Sequence, residues 1–152
     1  FLKIKANSSR MSKTYIKASL RKQVYKRAKG CCEYCLIPDI AAFAPHEVDH
    51  VIAEKHGGLT KADNLALSCA LCNKHKGSDL TSIDPETGDI VPLYHPRKDQ
   101  WCEHFQIKDA KFIALSSKAR VTIRLLQLNQ QDRIEEREYL LEAGMLDISK
   151  YQ

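Results

Sequence analysis

Two cysteine pairs constrain this chain more than any other feature: Cys32/Cys35 in GCCEYC and Cys69/Cys72 in SCALC, with 33 residues between them. Four thiolates from two CxxC turns are the ligand set of a tetrahedral zinc site, so the two segments must meet in the fold. Disulfides are the other use of such pairs. The N-terminus has no signal-peptide core, which points to a cytoplasmic chain, where disulfides are rare. A cytosolic redox protein built on CxxC is a third use and predicts reactive thiols, whereas zinc-bound thiolates resist alkylation until chelation. Cys31 adjoins the first pair and can stand in for Cys32, because sequence does not set the register. Cys102, beside Trp101, reads as a buried or idle thiol.

At 152 residues the chain fits one domain, long enough to bury about two-thirds of its unfolded surface without disulfides. No apolar run approaches the ~20 residues of a membrane span. The first Met is Met11, so residues 1–12 are set aside as an extension or tag and residues 13–150 are read as a single domain. Residues 1–30 carry ten Lys or Arg and no acid, which leaves −5 of the net +5 for the remainder. A basic N-terminal segment suits a polyanionic partner, since neutralised phosphates release counterions; the bland reading is a solvated helix face.

Ile16, Leu20 and Val24 recur every four residues, with Tyr25 and Ala28 widening the stripe, and predict an amphipathic helix ending near Gly30. Residues 46–52 read as a strand broken by Gly57-Gly58, residues 64–67 as a second extended piece, and residues 69–76 as a short helix stopped by Gly77. DPETGD is a turn ahead of IVPLY, and residues 107–115 suit a hairpin around KDA. Helices follow at 118–128 and 131–143, the second capped by Asn129 and stopped by Gly144. At ~100° per residue, Cys69, Cys72, Asn73 and Lys76 share one side of the short helix.

The ordered set of Asp49-His50, Gly57-Gly58, NLAL from Asn64, CxxCN ending at Asn73, and Lys76-Gly77 resembles the HNH endonucleases, which are ββα-metal or His-Me finger nucleases. The motif covers residues 30–78. Asn73 stands where the family has its second histidine, a variation also seen in the HNH domains of RNA-guided CRISPR nucleases. Residues 20–144, with LYHPR and WCEHF, more loosely resemble small bacterial HNH proteins. The resemblance implies an α+β fold: a ββα-metal core with a structural four-cysteine zinc site, flanked by an N-terminal helix and a C-terminal hairpin and helices. It implies a one-metal cleavage leaving 5′-phosphate and 3′-hydroxyl ends, and it makes Asn64 a brace for the loop after His50.

Chemistry supports the same assignment. Phosphodiester hydrolysis needs an activated water and relief of phosphate charge. A neutral imidazole suits His50 as general base. Asp49 and the Asn73 side-chain oxygen are hard ligands for Mg²⁺ or Mn²⁺, with Glu47 as a further oxygen on the parity of Asp49. Strand neighbours face opposite ways, so a site shared by Asp49 and His50 requires the strand to bend or end there. Lys76, Lys22, Lys26 and Lys29 are the expected contacts to double-stranded DNA. His46, on the strand parity of His50, reads as a packing or solvent-exposed residue, His95 and His104 as packing residues, His56 and His75 as surface, and Trp101 and Phe105 as core. One such site nicks one strand, so a double-strand break needs a homodimer, a larger effector complex or two events. The alternative is a zinc-stabilised nucleic-acid-binding module without catalysis.

Overall fold

The structure, a computed structural model, describes residues 14–151. The extension assigned to residues 1–12 lies outside the described residues. Helix α1 (Ala18–Arg27) forms where the apolar stripe predicts it. Ile16, Val24 and Ala28 pack on Leu65 and Leu67, with Leu20 and Val48 at the margin. Val24 is wholly buried, a contribution of about 1.5–3 kcal/mol. Tyr25 departs from the expected stripe and is 46% exposed. It lies about 100° around the helix from Val24, and its hydroxyl reaches Asp39 Oδ2 at 3.4 Å. Its ring lies so close over Gly30 that a Cβ there would stand 2.9 Å from the hydroxyl, and Gly30 ends the helix region at φ +69°.

Strands β1 (Glu47–His50) and β2 (Leu65–Ser68) form an antiparallel pair whose register runs from Glu47 opposite Ser68 to His50 opposite Leu65. Helix α2 (Ala70–Lys76) follows at once. Its first turn is capped by the Cys69 sulfur, which accepts the Cys72 N–H, and it stops at Gly77 with φ +50°. These three elements are the ββα unit. Beyond it come the β3 (Thr81–Ile83) and β4 (Ile90–Pro92) hairpin, a single helical turn α3 (Trp101–His104), and the β5 (Phe105–Lys108) and β6 (Lys111–Ala114) hairpin. Helices α4 (Ser117–Leu125) and α5 (Gln131–Glu142) complete the described chain. Five α-helices and three two-stranded sheets among the described residues make an α+β fold. No described helix is long and apolar enough to cross a membrane.

The main core joins Tyr34, Tyr94, Trp101, Phe105 and Phe112 to the four paired cysteines. Trp101 and Phe105 lie 5.3 Å apart between ring centroids, inside the core rather than on a surface. Asn129 does not cap α5, whose N-cap is Gln130 without a side-chain bond. Its amide instead accepts the Phe112 N–H and donates to the Phe112 carbonyl, each at 2.8 Å, because a primary amide reproduces the donor and acceptor pair of a neighbouring strand.

Buried Asp84 ties the DPETGD turn to α4. It accepts the Glu86 N–H and the Thr87 hydroxyl, and Arg120 donates to both of its oxygens at 2.9 and 2.7 Å. The Arg120 guanidinium holds the Asp84 carboxyl well below the usual carboxylate range, against the opposing effect of burial. The folded value lies below the unfolded value of ~3.9. The stabilisation is therefore complete above the unfolded value and is lost as pH falls through the folded one. Urea unfolding of wild type and Asp84→Asn should differ by a constant amount above about pH 5 and converge on further acidification. A gap that persists unchanged at about pH 3 would refute this assignment.

Candidate active site and metal centre

The first cysteine pair sits in a knuckle after α1. Cys32 donates its N–H to Ile37 O and accepts the Leu36 N–H, both at 2.9 Å, with Leu36 held at φ +67°. Glu33 clamps this knuckle to β2: its N–H donates to Leu67 O and its carboxylate accepts the Leu67 N–H, each at 2.9 Å. Arg97 forms an ion pair with the same carboxylate. The second pair opens α2. All four sulfurs are buried and lie within 4.8 Å of one another, positioned to bind one metal ion. Cys35 and Cys69 are 3.6 Å apart, close to the ~3.8 Å edge of a tetrahedron with metal–sulfur bonds of ~2.3 Å. Burial raises the Cys32 thiol, whereas hydrogen bonds with Cys32 and Cys35 lower the Cys69 thiol. Cys31 is only partly buried and stays outside the cluster, which settles the register on Cys32; Cys102 is exposed.

Strand β1 ends at the Asp49-His50 pair, as a shared site requires. The chain beyond it is stitched by Asn64. Its side-chain oxygen accepts the Ile52 N–H, and its amide donates to Ile52 O and Leu59 O, all at 2.9 Å. Gly58 is packed against this knot, where a Cβ would fall 1.7 Å from Ile52 O and 2.8 Å from the Asn64 amide nitrogen. His50 Nε2 lies 2.8 Å from Thr60 Oγ1, which fixes the ring from the same loop. Asp49 Oδ2 is buried without a hydrogen-bond partner, and burial raises its carboxyl against the opposing pull of Lys76. On α2, the Asn73 amide donates to the Glu47 carboxylate, so the helix face and the outer parity of β1 meet.

Lys76 stands elsewhere than a surface phosphate contact requires. It is 2% exposed, with Nζ 3.5 Å from Asp49 Oδ2 and 3.3 Å from both His50 O and Gly77 O. The reason is the geometry of α2: the face that carries Cys72 inward carries Lys76 inward too. Lys22, Lys26 and Lys29 are exposed. Lys22 joins Arg21, Tyr15 and Tyr25 around a groove of about 580 Å³ bounded on the other side by His46, Glu47 and Val48. Arg27, exposed as well, donates to Ala62 O and Leu65 O at 2.8 and 2.7 Å. His46 packs, with Nε2 2.8 Å from Ile37 O; His104 Nδ1 meets Ser116 Oγ at 2.7 Å and His95 Nδ1 accepts the Arg97 N–H at 3.1 Å. Thr60 and Glu33 carry no signal in the sequence, since neither belongs to a ligand pattern and only the tertiary contacts mark them.

A ββα unit joined by four sulfurs positioned to bind one metal ion, with an aspartate–histidine pair at the end of its first strand and an asparagine of its helix bonded to the start of that strand, defines the class of site. Residues 32–79 match the model of a family described as HNH endonuclease. Comparison with curated proteins and with solved structures gives no match.

The close approach at Gly58 is testable. Gly58→Ala must displace the Ile52 or Asn64 groups, stranding buried polar atoms at about 1–3 kcal/mol each. Gly57, at φ +87° with open space around it, should tolerate Ala at a cost of about 1 kcal/mol. Urea unfolding should rank Gly58→Ala well below Gly57→Ala, and equal midpoints would contradict the packing described.

Proposed function

We propose that this protein is a metal-dependent endonuclease that hydrolyses phosphodiester bonds in double-stranded DNA. The observation that carries the reading is strand β1: Asp49 with a buried oxygen that has no hydrogen-bond partner, His50 with its ring fixed at the end of the strand, and Asn73 of α2 bonded to Glu47 at its start. The match of residues 32–79 to the HNH endonuclease family supports it. Asp49 and Asn73 would hold Mg²⁺ or Mn²⁺, and their hard-oxygen donors fit such an ion. When bound, the ion neutralises phosphate charge and stabilises the leaving oxygen. His50 takes the proton of the attacking water. Thr60 engages Nε2, which leaves Nδ1 as the ring atom for that proton. Asn64 keeps the 52–59 backbone, and through it His50, in place. Zinc is the ion proposed for the four sulfurs, with a structural role.

One observation favours the alternative of a binding module without catalysis: the Lys76 ammonium already stands 3.5 Å from Asp49 Oδ2, where it offsets the charge a metal would need. Supercoiled plasmid separates the two. The wild type should convert it to nicked circles only with Mg²⁺ or Mn²⁺. His50→Ala should lower the rate at least ~10²-fold while folding and binding DNA normally, because it removes water activation alone. Asp49→Ala should instead shift the metal dependence upward, with partial rescue by Mn²⁺. Nicking by His50→Ala at the wild-type rate would overturn the role of the pair, and no nicking by metal-loaded wild type would favour the binding module.

The exposed lysines of α1, Lys22 and Lys26, and Lys29 just past its end are assigned to backbone phosphates without base readout. Changing Lys22, Lys26 and Lys29 together to Gln should weaken binding evenly across sequences. It should also flatten the salt dependence by roughly one unit of slope for each phosphate that is no longer neutralised. An unchanged slope would place the DNA on another face.

A further inference from the structure

Helix α5 lies outside the matched residues 32–79, yet it reaches the metal centre. Arg133 is 1% exposed and sets Nη2 3.3 Å from Cys72 Sγ and 3.9 Å from Cys69 Sγ, while Nη1 donates to Leu126 O at 2.8 Å. One turn further, Arg137 is fully buried. It donates to Ala110 O and to Leu128 O, and its guanidinium carbon sits 4.5 Å from the Phe112 ring centroid. The ion pairs among the described residues join neither arginine to a carboxylate. Two buried guanidiniums without an acid are costly to fold around. Four thiolates on one divalent ion carry two net negative charges, and a buried dianion is costly for the same reason. The two excesses are equal, opposite and adjacent.

We propose that Arg133, with Arg137 behind it, is the counter-cation of the four-thiolate metal centre, so that metal binding and the docking of α5 are one linked event. The inference rests on the four sulfurs holding a divalent ion and is independent of nuclease activity. Its parts are the N–H···S contacts, which draw electron density from the sulfurs and slow their release of the metal, and the reciprocal dependence of α5 on the charge of the centre. Arg133 is the residue that distinguishes this role from plain helix packing: an apolar side chain of similar length would fill the same space and leave the dianion unpaired.

The test uses purified full-length protein and the metal alone. Zinc release to a chromogenic chelator should be about 10–100-fold faster in Arg133→Met than in wild type, with Arg133→Lys intermediate. In the Co²⁺-substituted proteins, Arg133→Met should move the sulfur-to-metal charge-transfer band to lower energy, because the sulfurs lose their hydrogen-bonded cation. Leu128→Ala, which loosens the same packing without touching charge, should leave that band in place. In the reverse direction, metal removal should abolish hydrogen-exchange protection of residues 131–142. Should Arg133→Met fail to fold, the band position in Arg133→Lys and the exchange experiment on wild type decide the matter. An unmoved band with wild-type release in the arginine variants, or α5 protection unchanged on metal removal, would overturn the proposal.

Discussion

Four sulfurs meeting within 4.8 Å is the contact from which the rest of the molecule takes its positions. The knuckle that supplies Cys32 and Cys35 is clamped to β2 by Glu33, and the pair Cys69 and Cys72 begins α2 immediately after β2. The start of α2 is therefore fixed relative to both strands. A helix of seven residues could not hold that place by its own propensity, since isolated helices this short are unstable in water. Because its first turn is pinned, Asn73 and Lys76 one turn later are pinned also, and both reach β1.

The loop after β1 is organised on a different principle. Between His50 and Asn64 only Val51 is a buried apolar residue, and the chain is held by side-chain-to-backbone hydrogen bonds around one amide and by the absence of a Cβ at Gly58. Such a knot specifies backbone position closely because each bond has a narrow geometry. An imidazole at the end of β1, held against this loop by Thr60, is preorganised without being sealed in the core. The combination suits a residue that must stay accessible to a large substrate and yet point one way.

Charge is sorted by depth. The cations Lys22 and Lys26 of α1 and Lys29 just beyond it face solvent, whereas Lys76, Arg133 and Arg137 are buried, each beside carboxylate, carbonyl or sulfur acceptors. Arg137 is pushed down to about 10 by burial, while at Arg133 burial is outweighed by the sulfurs, which raise it. The net charge of the chain thus combines two populations with different work: one available to a polyanion, the other balancing the interior.

What the sequence determined by itself is what depends on short-range pattern. The cysteine spacing, the apolar stripe of α1, the glycine stops at Gly30 and Gly77, and the order of Asp49, His50, Asn64 and Asn73 are all local; the four-sulfur cluster follows from the spacing, and the α+β class from the family resemblance that the ordered set carries. Tertiary structure decided the rest, because it turns on which residues far apart in the chain come together. Tyr25 belongs to the stripe by spacing but stands outside it, and Asn129 has the chemistry of a cap but finds a strand edge 17 residues away. Lys76 has the pattern of a surface cation, yet the inward face of α2 carries it under Asp49. Arg133 lies 61 residues from Cys72, and no periodicity links a helix near the end of the chain to the cysteines that open α2. Only the closing of the core against the sulfurs brings that charge to them.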